Sequence, residues 1–304
     1  MNWQKSLKGK VRINEQLAKH TSFKVGGPVQ YWFEPSDTPD LQNLVVSARK
    51  RNMPLRVIGA GSNILADDAG VKGIVVKLNS PCFKKITDGQ AFACFKPRLS
   101  QKARVINVGA GLSLVKLVRY TKDNGLAGCE LLAGIPGTVG GALVMNAGNI
   151  GDSVLSVSVM NRDGRVNILT KRDIQFGYRN STLNDCIILS TYLKLIKKDK
   201  RIVARNIGRY FDYRRKTQDL SRPSAGCIFK NPDKKPAAYF IERCGLKGSS
   251  FGDAAISFKH ANFIINKGRA NFIDITKLIA YIIRSVKKKF NLKLEPEIKI
   301  WKQI

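Results

Sequence analysis

The sequence predicts an α+β protein of more than one domain, and three observations carry that prediction. With 304 residues, 43% of them hydrophobic, the chain is long enough for two or three packed layers and too long for a single small core. Apolar runs of strand length alternate with stretches whose apolar residues recur at helical spacing. The 26 glycines fall largely at the ends of those runs, and no internal repeat or low-complexity tract appears.

Three blocks follow in order. In block 1–80, a strand-like run at 29–33 leads into a helix. Thr38 is placed to cap it, Pro39 suits its first turn, and Leu41, Leu44, Val45 and Ala48 share one face. Apolar runs at 55–58 and 73–78 read as strands. Block 81–200 has a strand at 104–108, a helix at 113–124 closed by Gly125, and strands at 154–160, 166–169 and 187–195. Block 201–304 opens with a helix near 204–215. A strand at 227–229, a helix at 236–244 ended by Gly245 and a strand at 256–266 follow. Asp274 is placed to cap an amphipathic helix whose buried face is Ile275, Leu278, Ile279, Ile282 and Val286, and a strand at 292–300 closes the chain. The whole reads as a mixed sheet with helices to one side.

Composition excludes several classes of function. Six cysteines (Cys82, Cys94, Cys129, Cys186, Cys227, Cys244) contain no CxxC pair and read as reduced thiols, and with only His20 and His260 available no metal site is expected. The basic start of the chain has no apolar stretch behind it, which fits a cytoplasmic protein. Residues 131–151 run without a charge, but six glycines and Pro136 mark a buried, turn-rich segment rather than a membrane span. The 53 basic against 22 acidic residues give a net charge of +31. Such a field attracts polyanions, yet the basic residues are spread along the chain without an aromatic-interleaved ladder, so most of the excess reads as solvated surface charge.

Two strand ends carry a Gly-Ala-Gly string, at Gly59-Ala60-Gly61 (followed by Ser62 and Asn63) and at Gly109-Ala110-Gly111. Glycines there let backbone N–H groups approach a pyrophosphate. Neither loop completes G-x-G-x-x-G, since Ile64 and Leu114 occupy the last position, so a Rossmann domain is disfavoured. A more specific signal is Gly134-Ile135-Pro136-Gly137-Thr138-Val139-Gly140-Gly141-Ala142. So many glycines among apolar residues point to close backbone approach to a large planar or phosphorylated ligand.

In this order the motifs resemble the UDP-N-acetylenolpyruvoylglucosamine reductase (MurB) family over essentially the whole chain. The resemblance rests on Thr21-Ser22-Phe23-Lys24-Val25-Gly26-Gly27, the 59–63 loop, Ala133 through Gly141, Tyr178-Arg179-Asn180-Ser181, Ser224-Ala225-Gly226-Cys227-Ile228-Phe229-Lys230-Asn231-Pro232 and Leu294-Glu295-Pro296-Glu297. It implies a two-domain FAD-binding fold of the vanillyl-alcohol-oxidase-like (PCMH-type) class, here 1–80 and 81–200, with a C-terminal α+β substrate-binding domain, 201–304, whose last strand returns to the active site. The short connection after Arg179 is similar to the shorter family type that lacks the tyrosine loop.

By the same resemblance the chain is expected to be a monomeric reductase of peptidoglycan synthesis, using NADPH and bound FAD to convert UDP-N-acetylglucosamine enolpyruvate to UDP-N-acetylmuramate. FAD is held by Gly59, Ala60, Gly61, Ser62 and Asn63 and by Gly134, Ile135, Pro136, Gly137, Thr138, Gly140, Gly141 and Ala142. Arg179 stabilises an enol-like intermediate, its planar fork suiting a carboxylate or enolate, and Glu297 acts with that arginine. Asn231 contacts substrate, and one of Arg214, Arg215 and Lys216 meets its diphosphate, with Arg215 chosen. Cys227 stands where the family usually has the serine that protonates the intermediate. A thiol is a stronger acid than a hydroxyl and can take that role; otherwise Cys227 only fills the serine's space. The alternatives are another FAD-dependent oxidoreductase of the same fold and a basic nucleic-acid-binding protein.

Overall fold

The computed structural model describes residues 3–89, 100–233 and 235–303; Cys94 lies outside them. The chain divides into two compact units, one of Met1–Arg12, Tyr31–Ala60 and Gly73–Tyr213, the other of Ile13–Gln30, Gly61–Lys72 and Arg214–Ile304.

In the first unit, helix α1 (Thr38–Lys50) buries Leu41, Leu44, Val45 and Ala48, the face its spacing marks. Its cap is Asp37 rather than Thr38, the Asp37 carboxylate accepting from the Asp40 N–H at 2.8 Å. That carboxylate satisfies one of the helix's orphan donors and faces the positive end of its dipole. The strands Leu55–Val57 and Val71–Val76 pair in parallel, with Leu55 opposite Ile74 and Val57 opposite Val76.

The larger sheet runs in the order Val166–Thr170, Val154–Met160, Ile187–Lys197, Ala103–Gly109 and Ile86–Asp88, all antiparallel, with the short strand Leu126–Ala127 also paired to Ile187–Lys197. Its central strand keeps one buried face through Leu189, Thr191, Leu193 and Leu195, as a strand of period two requires. Helix α2 (Leu114–Asp123) is capped by Ser113 and buries Leu114, Leu117 and Val118. Gly125 follows it at φ 59°, the left-handed conformation that closes helices at low cost. The glycine-rich segment, expected to be turns, contains helix α3 (Val139–Met145), started by Thr138 in spite of two glycines in its first turn. Helix α4 (Lys200–Thr217) follows; the first unit ends within it at Tyr213, and its last turn belongs to the second.

The second unit holds a four-stranded antiparallel sheet, Ser224–Cys227, Phe263–Asn266, Ala254–Ile256 and Ser250–Phe251. Helix α5 (Ala237–Arg243) and helix α6 (Phe272–Phe290) complete its core, where Ile275, Leu278, Ile279, Ile282 and Val286 pack with Ile241, Ile256 and Ile264. Asn271 caps α6, and Asp274, the expected cap, is its reciprocal partner in a capping box. The run at 256–266 is two strands, not one. The Ser257 hydroxyl accepts the N–H groups of Lys259 and His260 and turns the chain between them. The final strand is shortened to Lys299–Trp301, paired in parallel with Ile64–Ala66. Pro296, which has no N–H to give a ladder, limits the preceding stretch to a single bridge with Phe229. Among the described residues no helix is long and apolar enough to cross a membrane, and Cys82, Cys129, Cys186, Cys227 and Cys244 form no disulfide.

Candidate active site

The glycine-rich segments of the first unit make a surface of backbone donors. Thr138 sits in an extended conformation with its Oγ1 accepting from Gly141 N–H at 3.3 Å, and it forms a bridge with Ser113. Gly59 lies against it so closely that a Cβ there would be 2.5 Å from Thr138 Oγ1. Among the described residues the N–H groups of Gly59, Ala60, Gly137 and Thr138 have no protein acceptor. A group of backbone donors free at two neighbouring, solvent-accessible turns fits the negatively charged diphosphate of a dinucleotide such as FAD.

Most of the other residues expected to hold the cofactor lie in the same glycine-rich stretch of the first unit. Gly134 turns the chain at φ 75°, Ile135 packs on the core, and Pro136 and Gly141 are exposed. Gly137 accepts from Leu114 N–H, Gly140 donates to the Ala110 carbonyl at 2.8 Å, and Ala142 is buried in α3. The second Gly-Ala-Gly string does different work from the first. A Cβ at Gly109 would meet the Phe83 carbonyl oxygen at 2.2 Å and one at Gly111 the Leu78 carbonyl oxygen at 2.0 Å, so these glycines serve close packing. In the second unit, Gly61 accepts from Ser22 N–H and is followed by half-buried Ser62 and Asn63.

Arg179 occupies the two-residue turn of a small hairpin formed by Phe176–Gly177 and Asn180–Ser181. Its φ of 56° is a left-handed conformation uncommon for a side chain of this size. The hairpin is fastened to the end of α3: Asn146 Nδ2 donates to the Gly177 carbonyl at 3.0 Å, and Ser181 Oγ donates to the Val144 carbonyl at 3.1 Å. Arg179 and the donor surface are thus held by the same short helix, at its two ends.

In the second unit, Cys227 ends a strand that bulges at Gly226, where φ is 75°. Beyond it the chain runs beside the C-terminal stretch: Glu297 N–H donates to the Ile228 carbonyl, and Lys230 N–H donates to the Glu295 carbonyl. Asn63 Nδ2 donates to the Glu297 carbonyl at 3.2 Å, and Lys299 N–H returns to the Asn63 carbonyl. Cys227, Glu297 and Asn63 are therefore on adjoining strands of backbone. Asn231 Oδ1 accepts from Ala237 N–H at the start of α5, so its side chain also shapes the loop. Arg215 is at a different place in the unit, exposed on the last turn of α4, its carbonyl accepting from Lys259 Nζ.

Two supporting residues escape the sequence reading. Asn262 is buried and pairs with both backbone groups of Phe229, accepting its N–H at 2.9 Å and donating to its carbonyl at 2.8 Å. Asn146, at φ 44°, ends α3 and anchors the Arg179 hairpin. Their signal in the sequence was an asparagine at the edge of an apolar run.

Comparison with known proteins covers both units. Residues 29–170 match the FAD binding domain family, and residues 218–301 match the UDP-N-acetylenolpyruvoylglucosamine reductase C-terminal domain family. The UDP-N-acetylenolpyruvoylglucosamine reductase of Halalkalibacterium halodurans is 37% identical over 298 residues, 96% of this chain and 94% of the relative. The chain belongs to the UDP-N-acetylenolpyruvoylglucosamine reductase family. A second reductase of that name, from Caldanaerobacter subterraneus subsp. tengcongensis, is 38% identical over 96% of the chain and 94% of its own length. The crystal structure of the family's Thermus caldophilus reductase (MurB) superposes with a TM-score of 0.78 at 33% identity, covering 97% of this chain and 99% of that one. The reductase family's FAD-binding and C-terminal domains and its α+β class are those expected from the motifs.

Proposed function

We propose that this chain catalyses the FAD-dependent reduction of UDP-N-acetylglucosamine enolpyruvate to UDP-N-acetylmuramate, a step of peptidoglycan synthesis, with NADPH as electron donor. The observation that carries this reading is the match to reductases of that name along nearly the full length of both chains. The cytoplasm is its place of action, and small soluble nucleotides are its ligands.

FAD, held by the 59–63 loop and the 134–142 segment, would supply the two-electron redox chemistry that links NADPH to the enolpyruvyl group. The chain's own residues do the rest. The N–H groups of Gly59, Ala60, Gly137 and Thr138 receive the cofactor's diphosphate, already positioned and needing no reorganisation. Negative charge then builds on the substrate carbon next to the reduced one and on its carboxylate. The Arg179 guanidinium, presented by its constrained turn, stabilises that charge. Cys227 gives its thiol proton to the carbon, and Glu297, on the adjoining backbone, takes part in the same protonation step. Asn231 and Arg215 hold the sugar nucleotide. An absorbance titration tests the whole reading. Flavin absorbance should bleach anaerobically with NADPH and return when UDP-N-acetylglucosamine enolpyruvate is added. Bleaching without return rejects the substrate, and a protein that takes up no flavin rejects the reading outright.

A further inference from the structure

Arg179 is carried on a turn that packing does not hold. Tyr178 beside it is 57% exposed, and a Cβ built on Gly177 would meet no atom within 4 Å among the described residues. The left-handed backbone of Arg179 gains nothing from local preference either. The direction of the tip is set instead by what binds the backbone entering it.

That group is the side chain of Asn146. Its Nδ2 donates to the Gly177 carbonyl at 3.0 Å, in the peptide that leads into the turn. Its Oδ1 accepts from Gly151 N–H at 3.1 Å, so the amide cannot turn end for end without losing both bonds. Gly151 has no room for a side chain, since a Cβ there would lie 2.5 Å from Phe176 Cγ and 2.9 Å from Asn146 Oδ1. Lys171 closes the junction, its Nζ donating to the Gly151 carbonyl and lying 4.5 Å from the centre of the Phe176 ring. Both residues of the strand that enters the turn are thus pinned, Phe176 by packing on Gly151 and Gly177 by Asn146. Position 146 ends α3 at φ 44° and ψ 40°, a left-handed conformation that asparagine accepts more readily than most side chains.

We propose that Asn146 is a positioning residue for Arg179. Its amide sets the direction in which the guanidinium leaves the hairpin, and so how closely the cation meets the charge that develops on the substrate. The proposal rests on the reading that Arg179 stabilises that charge. Asn146 acts through the Gly177 carbonyl alone and touches neither substrate nor cofactor.

Two variants of the flavin-loaded enzyme test it. Asn146→Asp keeps the oxygen that accepts from Gly151 but sets a carboxylate oxygen against the Gly177 carbonyl, and Asn146→Gly removes both bonds while suiting the left-handed backbone. In both, stopped-flow transfer from reduced flavin to the enolpyruvyl sugar should slow about tenfold or more, the scale of a displaced reacting group. Flavin reduction by NADPH should stay at the parental rate, which verifies the fold, and KM for the sugar should change little. Amide hydrogen exchange should quicken across the hairpin, where Thr182 N–H donates to the Gln175 carbonyl, and not in the central strand Ile187–Lys197. The Arg179→Lys background separates positioning from general support: an effect carried through Arg179 vanishes there, so Asn146→Asp should add little to Arg179→Lys. Parental transfer rates in both Asn146 variants, unchanged exchange in the hairpin, or losses that multiply with Arg179→Lys overturn the proposal. A parental transfer rate in Arg179→Lys alone is a different failure, which takes Arg179 out of the chemistry and the proposal with it.

Discussion

The backbone N–H of Glu297 donates to the carbonyl of Ile228 at 2.7 Å, which fixes the C-terminal carboxylate's segment one residue from Cys227. Residues seventy positions apart are thereby registered by main chain, not by side chains that a substitution would remove. Exchanging either side chain should leave the segment in place, so activity changes report chemistry.

Cys227 is where that matters most. With the frame held, Cys227→Ser keeps a proton donor and should keep substantial turnover. Cys227→Ala should lose about 10²-fold in kcat, the usual scale of a general acid, while reduction of bound flavin by NADPH stays at the parent rate. Stopped-flow measurement of the two half-reactions separates these effects. An alanine variant as fast as the parent in both ends the proton-donor role.

Arg179 combines a constrained backbone with a directed charge. Arg179→Lys keeps the charge but loses the planar fork, and kcat should fall about 10²-fold or more, as when one preorganised donor is removed from a developing anion. The second half-reaction alone should slow. A lysine variant with parental kcat would assign Arg179 to the hairpin rather than to the substrate.

Much of this was legible in the sequence, and the parts that were not have identifiable causes. Helices α1, α2 and α6 follow their apolar spacing because burial of one face dominates their energetics. The caps shifted by up to three residues because Asp37 is a stronger cap than the adjacent Thr38, and Asn271 is as strong a cap as Asp274. Helix α3 was hidden by Gly140 and Gly141, which weigh against helix locally but are outweighed by the Thr138 cap and the burial of Val139, Ala142 and Leu143. The two Gly-Ala-Gly strings look alike in sequence; only the carbonyls of Phe83 and Leu78 packed against one of them show that it is structural. No local signal marks Arg179 as left-handed, because tertiary bonds from Asn146 and Ser181 impose that turn.

His260 makes stability depend on pH. Burial lowers its pKa below the usual histidine value; a backbone bond of its own and the Glu242 charge oppose this, while the Lys247 charge adds to it. Its Nδ1 also accepts from Asn262 N–H at 3.3 Å, which only the unprotonated nitrogen can do. The unfolded chain thus binds the proton more readily. This contribution to stability is complete above the ordinary histidine pKa of about 6.5 and is lost as pH falls through the lower folded value. The denaturant midpoint should drop as pH falls below the ordinary histidine pKa of about 6.5, and His260→Gln should flatten that part of the profile. A variant with the parental slope would place the titrating group elsewhere.

Gly59 and Thr138 offer the sharpest test of the cofactor surface, because one contact couples them. A methyl group at position 59 would press on Thr138 Oγ1 at 2.5 Å and push apart the two turns whose N–H groups are proposed to receive the diphosphate. Gly59→Ala should weaken FAD by about tenfold or more, since overpacking of this kind costs on the order of 1–3 kcal/mol. Thr138→Ala leaves every backbone donor present but removes the α3 cap, destabilising the helix by about 1 kcal/mol. The double variant discriminates the causes. If the clash is with the hydroxyl, removing it relieves part of the Gly59→Ala penalty, and the double variant should hold FAD more tightly than Gly59→Ala alone, a clear departure from additivity. Additive losses in flavin affinity, read by fluorescence titration of the apoprotein, would mean that the two residues act on the cofactor independently and that the turns are not mutually braced.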